Sequence, residues 1–81
     1  MKRPAKNELR IDKTNQNLWK NRFGKPEQVA EDAEKVLSSA TKINYEKGIA
    51  DAQLTIASAN FLQSKNDIAL NYLSESFRWF E

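Results

Sequence analysis

Residues 47–80 read KGIADAQLTIASANFLQSKNDIALNYLSESFRWF, and the first half of this stretch decides the fold. At 100° per residue its apolar positions fall into two arcs. Ala50, Leu54, Ala57 and Phe61 form one; Ile49, Ala52, Ile56 and Ala59 form the other. Gln53 and Asn60 separate the arcs on one side, and Lys47, Asp51, Thr55 and Ser58 separate them on the other. A helix on the outside of a bundle needs a single apolar stripe. Two arcs therefore predict a helix over 47–64 that is packed between neighbours. The second arc is small or β-branched throughout, which favours close approach on that side.

Working outward, Ser64-Lys65-Asn66-Asp67 is a polar turn, and Asn66 or Asp67 suits a helix N-cap. The helix that follows, over 67–80, places Ala69, Tyr72, Leu73, Ser76, Phe77 and Phe80 on one face. Upstream, Val29, Ala33, Val36, Ala40 and Ile43 recur by fours and threes, widened by Leu37, and predict a helix over 26–44. The segment 44–48 is expected to be a corner, with Gly48 where backbones come close. Gly24 and Pro26 mark a stop and a restart. Residues 7–23 are compatible with a helix of thinner apolar pattern: Leu9, Ile11, Leu18, Trp19 and Phe23. Pro4 disfavours helix at Arg3. The expected fold class is all-α, an array of three or four antiparallel helices. Ala33, Leu37 and Ala40 return as Ala69, Leu73 and Ser76, each 36 residues later. A spacing of that size marks stacked helical repeats.

Composition narrows the function. The 81 residues contain no cysteine and no histidine. Disulfides and thiolate chemistry are excluded, and the commonest metal ligand and general base are missing. No glycine-rich phosphate loop is present, and no carboxylates are paired at a spacing that suggests acid–base work. The acidic residues Glu27, Glu31, Asp32 and Glu34 sit in the first half of their helix, where the macrodipole favours anions. They read as a solvated face, not a metal site. No enzymatic activity, metal or cofactor is expected. No apolar run approaches the roughly 20 residues of a membrane span, and no apolar core follows Met-Lys-Arg-Pro, so a cytoplasmic location is expected. Charge is uneven. Residues 1–25 hold eight basic and two acidic groups, a net of +6, while residues 26–81 hold five and nine, a net of −4. The expected organisation is a basic, partly helical arm over 1–25 and a helical domain over 26–81.

Tyr45, Lys47, Gly48, Ile49, Ala50 and Ala52 make a Tyr-x-Lys-Gly-Ile-Ala-x-Ala corner. Ser58 and Phe61 close that helix, and Asn66, Asp67, Ala69, Leu70, Tyr72 and Leu73 open the next. This arrangement resembles tetratricopeptide repeats of the degenerate kind found at the N-termini of bacterial signalling proteins. The likeness covers about 55 residues. Its usual glycine before the second helix is replaced by Lys65 or Asn66. The resemblance implies a right-handed array of helical hairpins and a protein–protein interaction role, sensory or scaffolding, within such a protein.

The family lines a peptide groove with the first helix of each repeat, which implies Lys47, Asp51, Thr55 and Ser58 as partner-binding residues for a protein or peptide. Phe77, Trp79 and Phe80 are too aromatic for a free surface and suggest self-association, most simply a homodimer. An alternative reading is nucleic-acid binding by the basic arm, with Trp19 and Phe23 stacking on bases.

Overall fold

The structure is a computed structural model that describes residues 5–78. Among these residues the chain forms four helices and no strand: α1 (Lys6–Lys20), α2 (Pro26–Lys42), α3 (Glu46–Leu62) and α4 (Asn66–Arg78). The all-α expectation holds. Successive helices run antiparallel and form two hairpins, α1–α2 and α3–α4. These stack so that α3 touches each of the other three helices. Early α1 lies by late α2 across a shallow groove lined by Arg10, Ile11 and Ile43. Late α4 lies by early α3, where Ser76 Oγ donates to the Ala50 carbonyl at 2.9 Å. Between the hairpins the order is parallel: Asn15 and Trp19 of α1 lie beside Gly48 and Leu54 of α3, and Glu34 of α2 accepts from Tyr72 of α4.

Local sequence explains the turns. Pro26 occupies the first turn of α2, where its missing N–H breaks no helical bond. Helices α2 and α3 end alike. Asn44 and Ser64 adopt left-handed φ values of 53° and 63°. The amides of Tyr45 and Lys65 then reach back to the carbonyls of Ala40 and Asn60, each at 2.9 Å, which satisfies carbonyls the helix leaves open. The corner expected at 44–48 is thus shorter. It closes by Tyr45, and Gly48 is buried inside the first turn of α3. A Cβ at Gly48 would lie 2.7 Å from Tyr45 Cδ2, 2.8 Å from Ile11 Cγ2 and 3.1 Å from Ala40 Cβ. Close approach is the reason for glycine there, but it is an approach of α1 and α2 to a continuing helix.

Small residues set the interhelical spacing. Ala33, Ala40, Ala52 and Ala59 are fully buried. Ile11, Val36, Ala40, Ile49 and Ala52 form the central cluster, with Leu18, Leu37 and Tyr45 packed against it. The two arcs of α3 find different neighbours. Ile49, Ala52, Ile56 and Ala59 are all buried; of the other arc, Ala50 and Ala57 are buried while Phe61 stands 66% exposed.

Residues 6–20 form a full helix whose Ile11 and Asn15 are buried against α2 and α3. The helical body therefore begins well before residue 26. The 36-residue echo also sharpens. Corresponding helices start 40 residues apart, at 6 and 46 and at 26 and 66. The difference is about one helical turn, so the echo preserves the face a residue occupies without preserving its height along the helix.

Candidate functional site

Two surfaces are candidates for a site: the edge where α1 meets α3, and the outer face of α3–α4. The first contains the polar edge of α3. Lys47 Nζ lies 3.1 Å from both Asp12 Oδ1 and Asp51 Oδ2, and Tyr45 donates its hydroxyl to both Asp12 oxygens at 2.8 Å. Burial, then the hydrogen bond to Asp12, pushes the Tyr45 hydroxyl from its ordinary pKa up to about 12. Partial burial works against the Lys47 ammonium, but hydrogen bonds to Asp51 and Asp12 outweigh it and leave its pKa raised.

This edge differs from a line of four solvent-facing side chains. Thr55 is buried, with its hydroxyl on the Asp51 carbonyl at 3.0 Å. Lys47 and Asp51 tie α3 to α1 through Asp12. Ser58 lies apart from them on the rim of the second surface. Asn15, missed in the sequence, sits beneath the same edge. Its Nδ2 donates to the Gly48 carbonyl at 3.3 Å, and its buried Oδ1 has no hydrogen-bond partner among the described residues. A polar residue between Ile11 and Leu18 gave no sign of burial.

The second surface is a groove of about 540 Å³ between α3 and α4. Leu54, Phe61, Leu70 and Leu73 supply its apolar walls, Ala57 and Ala69 its floor, and Trp19 one end. Ser58 and Asn66 are the polar residues among those lining it, and none is charged. Phe61, Leu70 and Phe77 are 66%, 60% and 57% exposed. Helical geometry explains the alignment: Leu70, Leu73 and Phe77 are spaced by three and four along α4, while Leu54 and Phe61 lie two turns apart on α3. Phe77 was expected at an apolar contact and sits on this face of α4. Trp79 and Phe80 lie outside the described residues. Phe61 stands in one apolar arc of α3 in the sequence, whereas Leu70 lies off the apolar stripe of its helix, and neither is expected from the sequence to bind a partner.

The opposite end of the stack has another character. Arg10, Lys35 and Lys42 surround Ile43 in the groove between α1 and α2, with Thr14 and Ser39 beside them. Along α1, Lys6, Lys13 and Lys20 recur every seven residues and are exposed. Arg22 stacks over Trp19 at 3.8 Å and over Phe23 at 4.4 Å, so one ring face of each already carries a cation. Among the described residues no group of three His, Cys, Asp or Glu side chains is placed to hold a metal ion, and no helix is long and apolar enough to cross a membrane.

No family model, curated protein or solved structure matches this chain.

Proposed function

We propose that this protein is a non-enzymatic protein–protein interaction module of tetratricopeptide-like kind, acting in the cytoplasm as the sensory or scaffolding part of a bacterial signalling protein. The observation that carries the interaction role is the uncharged α3–α4 groove, with Phe61 and Leu70 each more than half exposed. Single exposed apolar residues are ordinary on protein surfaces; a contiguous patch around a concave groove marks an interaction site. The stacking of two like-oriented hairpins supports the family reading. So does the corner from Tyr45 to Ala52, whose tyrosine and lysine meet on Asp12. Lys47 and Asp51 belong to the scaffold in this reading, and Ser58 to the binding rim.

The test is photo-crosslinking in cells. A photoreactive side chain at position 61 or 70 should give protein adducts, and the same group at position 35, on the opposite end, should not. Equal labelling at all three positions, or none at 61 and 70, refutes the reading.

One observation favours nucleic-acid binding as a second reading: Lys6, Arg10, Lys13 and Lys20 are all exposed along α1. Such a stripe binds phosphates with steep salt dependence. Retention on a DNA or RNA column at about 50 mM salt that disappears on reversing Lys13 and Lys20 would establish it; absence of retention removes it.

A further inference from the structure

We propose that the occupant of the α3–α4 groove is a second copy of this chain, docked face to face about a two-fold axis. This rests on the interaction reading above and names its partner.

The two ends of the stack decide the symmetry. At the α1–α2 end, Arg10, Lys35 and Lys42 are exposed around Ile43. Pressing that end on a second copy of itself sets like charges together. Pressing it into the α3–α4 groove takes cations out of water onto Leu and Phe side chains, with no carboxylate lining the groove to receive them. Head-to-tail stacking is therefore disfavoured, and with it the open filament that a heterologous contact produces. The α3–α4 face, lined without charge, meets itself with no such penalty.

The shape of that face agrees. An isologous contact needs projection and recess on one surface. Phe61 and Leu70 project, and the floor between α3 and α4 is alanine, Ala57 and Ala69. A two-fold axis seats the side chains of each copy over the small residues of the other. The size is sufficient as well. Two helices about 20 Å long and about 10 Å apart expose roughly 600–800 Å² of surface, close to the share each partner contributes to a standard stable interface.

The experiment uses the purified full chain. Sedimentation velocity from about 1 to 100 µM, at and above the weakest dissociation constants of standard-size interfaces, should show a species of twice the 9.3 kDa chain mass. Leu70→Glu and Phe61→Glu should each shift the dissociation constant at least tenfold towards monomer with helical circular dichroism unchanged, since both positions are exposed. Lys35→Glu should leave the dimer intact.

The chain has no cysteine, so single cysteines report the geometry. A short bis-maleimide should link Ser58→Cys chains to one another, and should link Ser39→Cys chains neither to each other nor to Ser58→Cys chains. A wild-type chain that stays monomeric through this range overturns the proposal, as does a dimer linked through position 39. A monomer whose positions 61 and 70 still crosslink to a different protein in cells leaves the interaction reading standing and removes only the second copy.

Discussion

Gly48 shows how much depends on a missing methyl group. In an unconstrained helix, alanine is favoured over glycine by about 1 kcal/mol. Here a Cβ would be forced against Ile11, Ala40 and the Tyr45 ring, and overpacking of that kind costs about 1–3 kcal/mol. The clash outweighs the propensity, because Ala40 Cβ is fixed to a helix and cannot rotate away. Gly48→Ala should therefore lower stability by up to about 2 kcal/mol in urea unfolding; a gain would show that α1 lifts off freely. The Tyr45 ring beside it gives a second residue-level expectation. Its folded pKa of about 12 lies above the ordinary tyrosine value of 10.0, so the folded state holds the proton that the unfolded chain releases. That contribution is complete below pH 10 and falls away as pH rises towards 12, and the raised Lys47 ammonium acts in the same direction. Tyr45→Phe removes the bond to Asp12, and its stability should vary less between pH 9.5 and 11.5 than that of the parent chain. Equal slopes in the two proteins would contradict the assignment.

At the scale of the helix, Ser64 is in a costly conformation. At φ 63° it holds the left-handed position after α3, where a Cβ is penalised by roughly 1–2 kcal/mol. Glycine relieves this at some entropic loss in the unfolded chain, so Ser64→Gly should stabilise by about 0.5–1 kcal/mol. Asn44→Gly should gain less, since asparagine tolerates that region. Thermal unfolding of both variants checks the order, and an equal or reversed gain would sink it. The same helices show what the sequence made legible. The two arcs of α3 announced a central helix because alanine and isoleucine repeat with a strict helical period. Helix α1 was harder to read. Its inward stripe is Ile11 and Asn15, both buried, and the partly buried Leu18, only one helix edge wide and interrupted by an amide. Thr55 misled for a related reason: its hydroxyl bonds to the Asp51 carbonyl within the helix, so it can be buried without a partner on α1. The groove was half legible. Phe77 stood out as an aromatic near the chain terminus, whereas Phe61 looks like an ordinary core residue, and Leu70 an isolated apolar residue off the stripe of its helix, until the helices are placed.

For the whole molecule, the sharpest consequence is where the folding unit begins. Charge separates residues 1–25 from the rest, yet Ile11 shares one cluster with Val36 and Ala40 of α2 and Ile49 and Ala52 of α3. Asp12 also anchors Tyr45 and Lys47 from the same helix. A domain of 81 residues has only about 4–12 kcal/mol of stability in total. Truncating a buried isoleucine to alanine costs about 2–5 kcal/mol. Ile11→Ala should thus remove a large share of the margin while leaving a cooperative transition. Deleting residues 1–25 should go further, since it uncovers Thr55 and one side of the central cluster at once. The remaining chain should show helical signal without a cooperative thermal transition. Concentration separates this effect from dimerisation. A dimer held by the α3–α4 face raises Tm with protein concentration, and Leu70→Glu should abolish that dependence. Ile11→Ala, on the other side of α3, should lower Tm by the same amount at every concentration. A truncated chain that unfolds cooperatively near the parent Tm would show that α1 is an appendage and that the fold is complete from Pro26 onward.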